Sequence, residues 1–129
     1  MSFLPITTNF FATLHDATVE HFAFEPLRGR LLLTLLLDSN MGASYRLQQV
    51  VLSGIRNGAD MERVQLLVKA ALATNSRAKL GYRLDEFCLL PQGDLECQDG
   101  RLSVRLAIDH LPTLQFCCQK ITNEEVNLA

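Results

Sequence analysis

The chain has 129 residues and a formal net charge of −2, so we expect no basic surface for nucleic acid or for anionic membranes. This length fits a single domain over residues 1–129, which can bury about two-thirds of its unfolded surface in one core. Hydrophobic residues make up 48% of the chain and charged residues 20%, an apolar excess that predicts exposed apolar surface and association with a partner.

A short helix is predicted near the N-terminus. Thr8 and Asn9 can cap it, and Phe10, Leu14 and Ala17 recur at positions i, i+4 and i+7. Because no basic segment precedes an apolar one in MSFLPITTNFFATLHD, we interpret this region as mature protein and not as a signal peptide. No apolar run in the sequence approaches the roughly 20 residues that cross a bilayer, which predicts a soluble protein.

Three strands are predicted to follow the first helix. Residues 19–27 and the apolar run over residues 31–37 are predicted to form two strands joined by a turn near Gly29. Residues 45–55 fit both the strand period and the helix period, and we interpret them as a strand.

The second of these strands is apolar on both of its alternating sets. Leucines occupy every position of one set, and Leu32 and Leu36 flank Thr34 in the other. This pattern predicts a strand buried on both faces. We include Leu32 and Leu36 among the candidate interface residues.

The clearest helix is predicted over residues 61–72. Asp60 can cap its start, and Asn75 is suited to its end. Its apolar stripe consists of Met61, Val64, Leu67, Val68, Ala71 and Leu72. Leu66 and Ala70 widen this stripe beyond the area that one sheet face covers. The helix therefore either packs only on its own sheet or also contacts a second subunit, and the sequence leaves both alternatives open.

The remaining chain predicts an antiparallel strand pair and a last helix. Residues 80–90 and 101–109 carry the two-residue period, and the second strand alternates without error, with one face toward water. Pro112 and the spacing of the apolar residues predict a helix over residues 112–121. The resulting order, α-β-β-β-α-β-β-(β)-α, predicts an α+β fold in which helices pack on an antiparallel sheet.

Cysteine and histidine are the residue types most able to support chemistry in this chain. Cys88 and Cys97 are nine positions apart, and Cys117 and Cys118 are adjacent, which is not the paired spacing of a zinc site. We therefore expect free thiols in a reducing compartment, no metal and no cofactor. A small thiol- or zinc-dependent enzyme using Cys117, Cys118 and His110 remains an alternative, because a nearby base can activate a thiol.

Four features form one pattern. They are the order of elements, the second strand LRGRLLLTLLLD, a helix ending near ATN, and the segment ATNSRAKLGYRLDEFCLLPQGDLECQDGRLSVRLAID. This pattern resembles that of the class I type III secretion chaperones. The resemblance implies a cytosolic homodimer or heterodimer whose subunits associate through the middle helix and a neighbouring strand. It also implies outer apolar grooves that hold an extended secretion substrate.

We therefore predict a non-enzymatic protein-binding module in the cytoplasm, a dimeric chaperone or adaptor whose partner is a secreted effector or a secretion component. The candidate residues of the partner or dimer interface are Leu32, Leu36, Met61, Leu66, Val68 and Ala70. An immunity or antitoxin protein that masks a single target shares the same bulk properties and is a second alternative.

Overall fold

The computed structural model describes residues 4–5, 14, 17–38, 45–55, 58–75, 79–90 and 102–126. Within these residues the chain forms eight strands and one helix. The strands are β1 (Leu4–Pro5), β2 (Thr18–Glu25), β3 (Arg30–Asp38), β4 (Tyr45–Ser53), β5 (Tyr82–Leu89), β6 (Leu102–Ile108), β7 (Leu114–Cys118) and β8 (Lys120–Val126). The helix α1, Ala59–Asn75, lies between β4 and β5 in the chain. This antiparallel sheet with a helix confirms the predicted α+β class.

The strands form one sheet in the order β1-β8-β4-β3-β2-β5-β6-β7. Each neighbouring pair is antiparallel. Strands β2, β3 and β4 form a meander, because each pairs with the next one along the chain. The turn between β2 and β3 ends at Gly29, whose φ of 57° lies in the left-handed region that glycine adopts without strain.

One segment of chain connects opposite sides of the sheet, because β7 is an edge strand and β8 is the second strand from the other edge. Strand β7 pairs with β6, β8 pairs with β4, and only Gln119 separates β7 from β8. The Gln119 N–H donates a 2.8 Å hydrogen bond to the Ser53 carbonyl, which fixes this bend against the end of β4. At Gly54, where φ is 70°, a Cβ atom would lie 2.6 Å from the Gln119 Cβ. The bend therefore needs glycine at that position.

Strands β2 and β5 pair only over a short stretch at the start of β2. Helix α1 packs beside the rest of β2, which β5 does not pair with. The ladder between the two strands has only two residue pairs, Thr18 with Arg83 and Val19 with Tyr82. Farther along β2, the Phe24 N–H donates a 2.6 Å hydrogen bond to Gln65 Oε1 of α1. A helix side chain thus satisfies a strand-edge donor that would otherwise lack a partner strand.

The core lies between the curved sheet and one side of α1. Leu31, Leu33 and Leu35 of β3 are each 0% exposed, and Met61 and Val68 of α1 are each 1% exposed. These residues belong to one continuous apolar cluster that includes side chains from β2 to β8. The alternation of leucines along β3 therefore places one complete set inside the sheet.

Several sequence predictions for the middle of the chain are confirmed. The ambiguous segment over residues 45–55 is a strand, Tyr45–Ser53, and the predicted helix over residues 61–72 is Ala59–Asn75. The prediction that β3 is buried on both faces is only half right, because Leu32 and Leu36 are partly exposed. The predicted first helix lies outside the described residues, except for Leu14 and Ala17, which are buried.

The predicted helix over residues 112–121 is wrong, because this segment forms β7 and the start of β8. Leu114, Phe116 and Cys118 are buried, whereas Gln115 between them is exposed. The segment therefore follows the two-residue period of a strand as well as the helical spacing that we used for the prediction. Pairing with β6 on one side of the bend and with β4 on the other decides between the two periods, which is a tertiary effect.

Candidate functional site

Helix α1 carries two apolar stripes on opposite sides. The first, which includes Met61 and Val68, is buried in the core. The second consists of Leu66, Ala70 and Ala73, which are exposed and follow one another at positions i, i+4 and i+7. We call this second set the outer helix stripe. A helix that only covers its own sheet carries polar residues on its outer side, so the outer helix stripe is the first sign of a binding surface.

Two leucines of α1 have large exposed fractions. Leu66 is 66% exposed, and its neighbour Leu67 is 43% exposed. The ion pair nearest to them on the helix, between Arg63 Nη1 and Asp60 Oδ1, is long at 3.8 Å and lies at the solvent-exposed start of the helix. The outer helix stripe is therefore a narrow apolar area, with exposed Glu62, Arg63 and Lys69 beside it.

A groove lies beside the outer helix stripe, between α1 and the end of β2. Its volume is about 310 Å³, and its lining residues are Phe24, Pro26, Glu62, Gln65, Leu66 and Lys69. We call it the helix groove. The Phe24 side chain is 9% exposed, and a Cβ atom at Gly58 would lie 2.8 Å from its Cζ. The absence of a side chain at Gly58 thus allows the ring to lie under the start of α1.

The helix groove continues toward the N-terminus of α1. A second hollow of about 210 Å³ shares Phe24, Pro26 and Glu62 with it and extends to Ile55 and Ala59. The surface of the helix groove is mainly apolar, whereas the second hollow is about equally polar and apolar, and Glu62 and Lys69 supply charges on the helix side. Such a surface suits an apolar side chain that has a charged neighbour.

The turn between β2 and β3, residues 26–29, presents a fully exposed leucine. Leu27 at this hairpin tip makes no shielding contact with the rest of the described chain. The tip is nevertheless ordered by backbone hydrogen bonds, from the Arg28 N–H to the Glu25 carbonyl and from the Gly29 N–H to the Pro26 carbonyl. A rigid apolar protrusion therefore stands next to the helix groove, because Pro26 belongs to both.

Two guanidinium groups share one carboxylate at the hairpin tip. Arg30 Nη2 lies 2.7 Å from Glu25 Oε1, and Arg28 Nε lies 3.7 Å from Glu25 Oε2. The hydrogen bond from Arg30, helped by the positive charges of Arg30 and Arg28, holds the pKa of the Glu25 carboxyl below its ordinary value. The tip therefore carries a net positive charge at neutral pH, with Arg28 as the more exposed and more weakly paired cation.

The six residues predicted for an interface occupy three different places. Leu66 and Ala70 belong to the outer helix stripe, whereas Met61 and Val68 lie in the core and are not available to a partner. Leu32 and Leu36 are partly exposed on the face of β3 that points away from the core.

Leu32 and Leu36 belong to a second apolar surface, which we call the outer sheet face. In the strand register, Leu32 lies opposite Val51 on one side and Ala23 on the other, and Leu36 lies opposite Leu47. Ala23 is exposed, and the other four side chains are partly exposed. These five residues form apolar cross-strand pairs over three neighbouring strands.

In the described part of the chain, Cys117, Cys118 and His110 do not form a catalytic group. In the β6–β7 hairpin Leu102 lies opposite Cys118, so both adjacent cysteines are at the end away from the turn that contains His110. The His110 ring instead lies against Tyr82, with ring centroids 5.0 Å apart. Cys118 is a free thiol that is 0% exposed. Such an arrangement provides no base for a thiol nucleophile.

The prediction of free thiols is correct for Cys88 and Cys118 but wrong for Cys117, which forms a disulfide. Cys97 lies outside the described residues. Burial raises the pKa of the Cys88 thiol, and its 3.4 Å hydrogen bond to Glu86 Oε1 raises it further. The described ranges contain no group of three or more His, Cys, Asp or Glu side chains able to hold a metal ion.

Leu27 at the hairpin tip and the buried Phe24 beneath the helix groove are among the residues that the sequence analysis missed. An apolar residue between Pro26 and Gly29 was a usable signal, because a turn between two strands exposes its central residues. The helix groove gave no such signal, since Phe24 and Gln65 are 41 positions apart in the chain.

Helix α1, the one helix in the described ranges, is not long and apolar enough to cross a membrane. A scan against protein-family models and searches of curated proteins and of solved structures return no match to the chain.

Proposed function

We propose that this protein is a non-enzymatic binding module of the class I type III secretion chaperone kind. In this proposal two subunits associate through the outer helix stripe, and the outer sheet face holds an extended segment of a secreted protein or of a secretion component. The outer helix stripe carries the proposal, because Leu66, Ala70 and Ala73 repeat at helical spacing on the side of α1 that faces away from its own core.

The free energy of apolar burial supports association through this stripe. Complete burial of a leucine side chain contributes about 1.5–3 kcal/mol, and Leu66 keeps 66% of its surface outside the chain's own core. Leu67, at the edge of the core-facing side, adds a further partly exposed leucine next to the stripe. Contact with a second protein would bury this area without any change in the core.

The order of the described elements also supports the resemblance. A meander of three strands is followed by a helix that ends at Asn75 and then by the pair β5 and β6, and β5 lies next to β2 in the sheet. This is the order that the resemblance implies for residues 18–108. In place of the last helix of that pattern, the chain has β7 and β8.

The outer sheet face suits an extended segment because its apolar residues lie in rows across β2, β3 and β4. Ala23, Leu32 and Val51 form one row, and Leu36 and Leu47 form another. Side chains that alternate along a bound segment can contact such rows while the segment's polar residues face water.

Co-expression with the proteins encoded beside its gene tests this proposal. We expect one of them to copurify with the protein and to be lost when Leu36→Glu places a charge on the outer sheet face. The matched control is Leu89→Glu, because Leu89 is an exposed leucine on β5, outside both apolar surfaces.

Three outcomes would contradict the proposal. The first is a protein that remains a monomer in light scattering and retains none of the proteins encoded beside its gene, because it then shows neither subunit association nor partner binding. Equal loss of the partner from Leu36→Glu and Leu89→Glu would show that the outer sheet face is not the binding surface. Capture of one folded toxin whose activity is blocked would favour an immunity protein instead.

A further inference from the structure

We propose that the hairpin tip of one copy of this chain docks into the helix groove of a second copy. In this contact Leu27 enters the groove, and Arg28 lies against the second copy's Glu62. The inference deepens the proposed function, on which it rests, because it names the contact by which two subunits associate.

Leu27 has the properties of a preformed anchor. It is fully exposed, although burial would stabilise it. The backbone around it is fixed by the two turn hydrogen bonds and by a 2.9 Å hydrogen bond from the Ile55 N–H to the Gly29 carbonyl. Because the tip is already ordered, docking loses little conformational entropy.

The helix groove has the matching size and chemistry for this anchor. Its volume of about 310 Å³ accommodates a leucine side chain, and Phe24, Pro26 and Leu66 offer it apolar contacts. The same contacts would cover part of the exposed surface of Leu66, which connects the groove to the outer helix stripe. Anchors that fill such pockets contribute much of the binding energy of protein interfaces.

Charge complementarity selects the orientation of the tip. Glu62 lines the groove, and it forms no ion pair with any residue in the described ranges. The tip carries two cations and one carboxylate, and Arg28 is 3.7 Å from Glu25 whereas Arg30 is 2.7 Å from it. Lys69, about 10 Å along the helix from Glu62, would repel Arg28. The tip is therefore directed with Arg28 toward Glu62.

The position of tip and groove in one molecule favours a second copy as the occupant. Pro26 lines the groove, and the next residue, Leu27, is the anchor. When two copies are related by a two-fold axis, each can insert its tip into the other at the same time. Such a reciprocal contact closes a dimer, and its two identical halves strengthen each other.

A charge-swap experiment on the full chain tests this contact. The dissociation constant of the dimer is measured by sedimentation equilibrium for the wild type, Arg28→Glu, Glu62→Arg and the double variant. We expect each single variant, and also Leu27→Ala, to raise the dissociation constant by about tenfold or more, because each contact occurs twice. The double variant should return to within about threefold of the wild type, since it restores opposite charges.

Leu89→Ala is the matched control for Leu27→Ala, because it removes an exposed leucine outside the groove and the tip. We expect its dissociation constant to stay within about twofold of the wild type. Thermal unfolding followed by circular dichroism verifies that every variant is folded, and Leu27→Ala keeps the test decisive if a charged variant fails to fold.

The inference is overturned by a monomeric wild type, by single variants that dimerise normally, or by a double variant that does not recover. If the wild type is a dimer and the partner from the co-expression experiment is still captured, the proposed function stands without this contact. A monomeric wild type that captures the partner retains only the partner-binding half of the proposed function. Recovery in the double variant together with failure to capture any partner would support the contact and contradict the proposed function. Loss of a different protein on changing Leu27 in a monomeric chain would show that the hairpin tip binds another partner, which overturns the inference.

Discussion

Replacing Leu66 with alanine should weaken association far more than it weakens folding. Leu66 is 66% exposed, so its buried third contributes about 0.5–1 kcal/mol to folding, one-third of the value for complete burial. In a two-fold dimer the exposed part of two such side chains is covered, which contributes up to about 2–4 kcal/mol. This free energy corresponds to a roughly 30- to 700-fold increase in the dissociation constant.

Met61→Ala provides the matched comparison on the same helix. Met61 is 1% exposed, and removal of a buried methionine side chain costs about 2–5 kcal/mol of folding free energy. Sedimentation equilibrium measures the dimer, and urea unfolding monitored by circular dichroism measures folding. If Leu66→Ala unfolds as readily as Met61→Ala, or dimerises as tightly as the wild type, the assignment of Leu66 to a subunit interface is wrong.

Three further predictions concern other parts of the structure. Gly54→Ala should lower the unfolding free energy by about 1–3 kcal/mol in a urea titration, because φ is 70° and the space for a Cβ is filled; an unchanged midpoint would refute this. Because the pKa of Glu25 is lowered chiefly by Arg30, the carboxylate stabilises the fold above the unfolded pKa, and this contribution is lost as pH falls through the folded value. Arg30→Gln should raise that pKa in an NMR titration and make stability less dependent on pH in the acidic range, whereas an unmoved pKa contradicts the role of Arg30. Glu86→Gln should lower the pKa of Cys88 and speed its alkylation at pH 8, since Glu86 raises that pKa; an equal rate would show that burial alone sets it.

Local patterns predicted the elements in which the spacing of apolar residues clearly matched one period, either that of a helix or that of a strand. The helix Ala59–Asn75 has a long apolar stripe that no strand period explains, and Leu102–Ile108 alternates over its full length. The segment after Pro112 carries both periods. Its outcome depends on β4 and β6, which are distant in sequence, so local pattern alone did not determine it.

The apolar surfaces were predictable only where they follow from the spacing within one element. The excess apolar positions of α1 indicated Leu66 and Ala70, and the structure exposes both. The same reasoning placed Met61 and Val68 at an interface because it did not separate the two sides of the helix. The helix groove depends on the approach of Phe24 to Gln65, and no periodicity within one element reports such a contact between two elements.

The pairing of β8 with β4 also determines the order in which the sheet can be completed during synthesis. The register places Val50 opposite Asn123, so β4 lacks its second neighbour until residues 120–126 have left the ribosome. Until then, the nascent chain presents β4 as an unpaired edge beside an apolar core. Such an edge favours intermolecular pairing, and slow translation between α1 and β8 should therefore increase aggregation of the newly made chain.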